Sequence, residues 1–201
     1  MEQFGKPISK YYNFKDNKNC DIQSIIHCIN LQGKDLIGAE IGVFMAKSFV
    51  TLLQNCPNIK TLYGIDLYKP FTDYLVYNYD GKTVDAVYDE KQIENIKLSA
   101  YHIIKFSGHK DKAVILEKDS NEAAKEIDDE SLDFVFVDTY CTYEQIKNDL
   151  NVWYKKVKKG GLFAGHDTHL PVVKKALEEF RLENNIDNLM SDFDKSFIWK
   201  K

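Results

Sequence analysis

The residues of this chain best suited to chemistry stand where apolar runs end: Glu40 with Gly42, Asp66, Asp119 with Ser120, Asp138, and His166 with Asp167. The segment from Leu36 to Ser48 (LIGAEIGVFMAKS) leads from an apolar run through Glu40 and Gly42 straight into a helical pattern. Backbone amides at such a turn can meet a polar ligand, and the glycine allows close approach. Asp66 closes the next apolar run, where a carboxylate can accept hydrogen bonds from both hydroxyls of a ribose. Turn and acid together point to an adenosine-type ligand. The stretch Gly42-Val43-Phe44-Met45-Ala46-Lys47 lacks the glycine spacing that a dinucleotide pyrophosphate needs, which disfavours an NAD-dependent oxidoreductase.

These residues require elements that bring them to one edge. Ile22, Ile25, Ile26 and Ile29 form one stripe and predict a helix over Asp21 to Leu31, part of an N-terminal helical extension (1–33). Strands are predicted at Leu36 to Gly42, Thr61 to Asp66, Ala113 to Leu116, Leu132 to Asp138 and Leu162 to Gly165. Helices are predicted at Lys47 to Asn55, Tyr88 to Phe106, Ser120 to Ile127, Thr142 to Val157 and Pro171 to Glu183, the last with proline in its first turn. Lys159-Gly160-Gly161 reads as a turn, and Met190 to Lys200 as a hairpin. Strands that are apolar throughout and alternate with helices indicate an α/β fold with a parallel sheet covered on both faces. In such a sheet, the strand-end residues converge on one cleft.

The 201 residues are 44% hydrophobic and 13% aromatic, enough to form one domain with a full core. A net charge of -4 provides no basic stripe for nucleic acid. Lys155, Lys156, Lys158 and Lys159 cluster at a helix end, where positive charge complements the helix dipole. No window approaches the roughly 20 apolar residues of a membrane span, and the start has no signal-peptide core. The expected setting is therefore the cytoplasm, without membrane partners. Cys20, Cys28, Cys56 and Cys141 lack metal-knot spacing, and the first three read as small buried residues.

Read together, Glu40-x-Gly42 with Ser48, Tyr63-Gly64-Ile65-Asp66, Lys118-Asp119-Ser120, Leu132 to Asp138 with Tyr143, and Gly160 to Asp167 resemble the class I S-adenosylmethionine-dependent methyltransferases. The branch resembled is that of macrocin-type sugar O-methyltransferases and cephalosporin-hydroxylase-like proteins. The resemblance implies a doubly wound, mostly parallel seven-stranded Rossmann-like sheet with an antiparallel C-terminal strand. It also implies O-methylation of a small-molecule or sugar hydroxyl. On this reading Glu40, Gly42 and Ser48 serve the methionine part of the cofactor, Asp66 the ribose, and Asp119 and Ser120 the adenine. Asp138 borders the cofactor and, with His166 and Asp167, would hold Mg2+, which lowers the pKa of an acceptor hydroxyl. Asp138 and His166 are the candidate catalytic groups. Ala46 stands where the family carries a second glycine, and Cys141 where many relatives carry a histidine proposed as base. Cys141 and His166 favour the alternative, a cofactor-binding module with an interaction or regulatory role.

The connection from Leu67 to Val87 is too long and aromatic for an ordinary turn, marking 67–88 as a lid insertion, with a surface loop or oligomer contact as the alternative. The aromatic start, with Phe4, Tyr11, Tyr12 and Phe14, is expected to cover the site or a partner, a second copy in a homo-oligomer included. His27, His102 and His109 are read as structural, and His169 as a surface-loop residue.

Overall fold

Strand formation follows from apolar runs that bury side chains on both faces. In a computed structural model describing residues 22–70, 75–77, 83–85, 88–139, 142–187 and 195–201, the strands are β1 (Leu36–Ile41), β2 (Ile59–Ile65), β3 (Leu75–Tyr77), β4 (Thr83–Asp85), β5 (Ala113–Leu116), β6 (Leu132–Val137), β7 (Val157–Gly165) and β8 (Phe197–Lys200). The helices are α1 (Gln23–Asn30), α2 (Lys47–Asn55), α3 (Glu90–Phe106), α4 (Ser120–Ala124), α5 (Tyr143–Lys156) and α6 (Pro171–Glu183). One sheet runs β5-β2-β1-β6-β7-β8, all parallel except β8, which lies antiparallel to β7. The strand β6 shows the two-sided burial plainly: Phe134 and Phe136 join one core, Val135 and Val137 the other. The first core is closed by α1, α2 and α3, the second by α4, α5 and α6. Gly38 leaves room for the Phe134 ring, and Gly165 for that of Phe197.

The doubly wound α/β sheet is present, but with six strands in place of the expected seven among the described residues. Of the expected hairpin over Met190 to Lys200, only β8 falls within them. That strand is held by its aromatic side chains: Trp199 lies 5.3 Å from Phe163 and stacks on Phe180 and Phe197. A second correction concerns Lys159-Gly160-Gly161, which sits inside β7 and is not a turn. Leu132 pairs with Val157 but Phe134 with Leu162, so extra residues bulge at this point. Gly160 takes φ +79° and its amide donates to the Lys201 carbonyl. A short antiparallel pair, β3 with β4, occurs inside the insertion expected to be a lid. The aromatic start, Tyr140 and Cys141 lie outside the described residues.

In the sheet order the chain goes to one side of β1 for β2 and β5, and to the other for β6, β7 and β8. The carboxyl ends of β1, β2 and β6 therefore meet at the point where strand order reverses, the usual ligand crevice of such sheets.

Candidate active site

Four residues of the crevice are fixed by the same device. Beyond each strand end, the next amide donates to the last carbonyl of a neighbouring strand. Gly42 donates to Ile65 (2.8 Å), Asp66 to Leu116 (3.3 Å), Asp138 to Ile41 (2.8 Å) and His166 to Val137 (3.1 Å). The parallel ladder thus sets where the polar side chains begin.

Gly42 has φ +92°, and a Cβ there would collide with the backbone carbonyl oxygen of Asp138. The glycine therefore admits the end of β6 as well as permitting the turn. Two turn amides expected to face a ligand are already engaged. The Oδ2 atom of Asp66 accepts from Val43 N (3.0 Å) and Phe44 N (2.8 Å), and its Oδ1 from Tyr68 N (2.9 Å). The Tyr68 hydroxyl returns to the Phe44 carbonyl (3.0 Å). Burial pushes the Asp66 carboxyl up, and these three amides hold it down in part. Asp66 is thus a brace of the turn, with about one of its four acceptor sites left for a ligand hydroxyl. Ala46 adopts a left-handed φ of 59° at the start of α2, a backbone conformation that suits glycine better than alanine.

Glu40 is fully buried. Its Oε1 accepts from Ser48 Oγ at 2.6 Å, while Oε2 has no hydrogen-bond partner among the described residues. Burial raises its carboxyl well above the ordinary value; the Ser48 hydroxyl opposes this, and the charges of Asp138 and Asp66 add to it. Three acids on three neighbouring strands thus share one small region. A ligand carrying positive charge would relieve all three.

Asp138 is half-buried, with Val137, Ile146, Val173 and Phe197 lining the same pocket. Desolvation lifts its carboxyl to about 6, against the attraction of His166 and with the repulsion of Asp167. One ligating atom from each of Asp138, His166 and Asp167 lies within 4.8 Å of the others. His166 Nδ1 is 3.0 Å from Asp167 Oδ1 and 3.9 Å from Asp138 Oδ1. His169, exposed as expected, also approaches Asp167 at 3.8 Å. Asp167 itself has a left-handed φ of 62°. Burial raises its carboxyl, but the hydrogen bond and charge of His166, with His169 and Lys195, bring it below the ordinary value.

Asp119 and Ser120, expected on the adenine side, stand at the start of α4 with different partners. Asp119 caps α4 by accepting from Asn121 N at 2.9 Å. The Ser120 hydroxyl, however, turns inward, donating to Asp149 Oδ1 (2.5 Å) and accepting from Trp153 Nε1 (2.7 Å). Its proton is engaged by Asp149. Asp149 was not singled out from sequence. The available signal was an acid within the apolar stripe Ile146, Leu150 and Trp153 of α5.

The sequence profile of a family described as a methyltransferase domain matches residues 39–168. The chain belongs to this methyltransferase family. Membership implies S-adenosylmethionine as the methyl donor. No curated protein matches the chain. Among solved structures, the O-methyltransferase NovP superposes with a TM-score of 0.62 at 18% identity, over 90% of this chain and 78% of its own. Precorrin-8w decarboxylase from Methanobacterium thermoautotrophicum gives 0.59 at 16%, over 90% of both chains. Spermidine synthase from Thermotoga maritima gives 0.51 at 12%, over 77% of this chain and 47% of its own. At these identities the likeness is one of fold, which for this methyltransferase is the Rossmann-like α/β sheet. No described helix of the methyltransferase is long and apolar enough to cross a membrane.

Proposed function

We propose that this methyltransferase transfers the methyl group of S-adenosylmethionine to a hydroxyl of a small molecule or sugar, with a divalent cation at Asp138, His166 and Asp167. The observation that carries the reading is the meeting of Glu40, Asp66 and Asp138 around the Gly42 turn, close enough that two of these charges raise the carboxyl of the third. S-adenosylmethionine supplies a methyl group on a positively charged sulfur, together with an ammonium group, and both charges suit an acid-lined crevice. The unpartnered Oε2 of Glu40 fits an ammonium donor. The remaining acceptor capacity of Asp66 fits a ribose hydroxyl, and Asp119 with the start of α4 borders the adenine side.

For the cation, the donor set is two carboxylates and one imidazole. Carboxylates suit Mg2+ and Mn2+, while the imidazole shifts preference toward transition metals. A cation there would lower the pKa of the acceptor hydroxyl and orient its oxygen. Asp138, through the carboxylate oxygen not given to the cation, would receive the single hydroxyl proton with His166 beside it, and the pocket formed by Ile146, Val173 and Phe197 would keep water from the reacting oxygen.

Calorimetry with S-adenosylmethionine, followed by methyl transfer to a panel of small-molecule and sugar hydroxyls with and without EDTA, tests the reading. Micromolar binding and EDTA-sensitive transfer are expected. No binding at millimolar cofactor would overturn it, and undiminished transfer in EDTA would remove the cation from it.

A further inference from the structure

Resting on the reading that the crevice takes an adenosine-bearing cofactor, we infer that Asp149 is a positioning residue that fixes the two flanking walls of the crevice relative to each other. The side chain is fully buried on α5 and belongs to neither wall. Its Oδ1 accepts from Ser120 Oγ (2.5 Å), and its Oδ2 from Thr139 Oγ1 (2.9 Å) and Gln145 Nε2 (3.0 Å). Ser120 opens α4, just after β5, and Thr139 follows Asp138 at the end of β6. Between β5 and β6 the sheet places β2 and β1, whose ends carry Asp66, Glu40 and the Gly42 turn. One carboxylate on α5 therefore ties together the loops on either side of the cofactor's proposed seat. Two further bonds run from α5 to the β5 side, Trp153 Nε1 to Ser120 Oγ (2.7 Å) and Asn148 Nδ2 to Asn121 Oδ1 (3.0 Å).

The chemistry of the position argues against a purely packing role. Ile146, Leu150 and Trp153 make this face of α5 apolar, and a leucine at position 149 would extend the stripe without burying a charge. An acid persists there, raised by burial and held by three donors. Ser120 and Thr139 each have a single hydroxyl proton, and both protons point to Asp149. The two loops are thus locked in orientation, as a preorganised site requires.

The test is calorimetry with S-adenosylhomocysteine on the wild type, Asp149→Asn, Ser120→Ala, Thr139→Val and the Ser120→Ala/Thr139→Val double variant, each also followed by thermal unfolding. Asp149→Asn should bind about tenfold more weakly, the scale seen when a partner behind a site is removed. Ser120→Ala and Thr139→Val touch opposite ends of the link, so their effects on affinity should couple by a factor of about five. Adding Asp149→Asn should abolish that coupling. If Asp149→Asn does not fold, the coupling between Ser120→Ala and Thr139→Val decides alone. Lower melting temperatures with unchanged affinity, or strictly additive affinity losses, would overturn the inference while leaving the cofactor reading intact. A wild type that does not bind S-adenosylhomocysteine would overturn both.

Discussion

At the residue scale, Glu40 carries a conflict between stability and binding. Its carboxyl is buried, bonded on one oxygen only, and repelled by Asp138 and Asp66. The folded chain therefore holds this proton to a higher pH than the unfolded chain, whose glutamate titrates at about 4.3. Proton uptake on folding stabilises the protein fully below about 4.3, and the benefit falls as pH rises toward the folded value. Glu40→Gln keeps the acceptor for Ser48 and removes the titration. At pH 8 the variant should be more stable than the wild type by about 0.5–2 kcal/mol. Urea unfolding at pH 8 and at pH 4 checks this, with the gain shrinking at the lower pH. The same variant should lose about tenfold or more in affinity for S-adenosylmethionine, because it loses a charged acceptor for the ammonium. Wild-type binding should also release protons, seen as a buffer-dependent heat. An equally stable variant that binds normally would remove Glu40 from the site.

At the element scale, the turn after β1 is shaped by what packs on it. Gly42→Ala places a Cβ against the Asp138 carbonyl at a positive φ, so both the turn and the end of β6 must shift. A loss of at least about 2 kcal/mol is expected in urea unfolding, together with loss of cofactor binding. Asp66→Ala strands the amides of Val43, Phe44 and Tyr68, so it should lower stability by about 1–3 kcal/mol as well as weaken cofactor binding. If binding falls without any loss of stability, Asp66 serves the ligand alone and the bracing role is wrong. Next to Tyr88, whose ring meets that of Phe44 in the turn edge to face (5.7 Å), Asp89 and Gln92 form a reciprocal cap at the start of α3. Asp89→Ala should cost about 1 kcal/mol in urea unfolding. The strand ends could be read from sequence because buried strands are apolar throughout and the first polar residue marks the crevice. The bulge in β7 could not: Lys158, Lys159, Gly160 and Gly161 have turn composition, and their pairing with β6 and the chain end is set by tertiary contacts. Asp149 stayed hidden for a similar reason, since its partners Ser120 and Thr139 are distant in sequence.

At the scale of the whole molecule, the crevice joins both halves of the sheet, so a ligand there reports on global stability. The acids come from β1, β2 and β6, and the proposed cation ligands from β6 and the end of β7. Both cores lean on these strands, one through Phe134 and Phe136, the other through Val135 and Val137. A ligand that binds only the folded chain at about 100 times its Kd adds about 2.7 kcal/mol. For a chain of this length that corresponds to a rise in Tm of about 5–10 °C. S-adenosylhomocysteine should produce such a rise in thermal unfolding. Mn2+ should add a further increment that EDTA reverses and Asp167→Asn removes. Asparagine tolerates the left-handed backbone at this position, so the variant tests the carboxylate without disturbing the turn. A cofactor shift without any metal increment in the wild type would leave the methyltransferase reading standing and remove the cation. A metal increment that survives Asp167→Asn would place the cation away from the Asp138, His166 and Asp167 cluster.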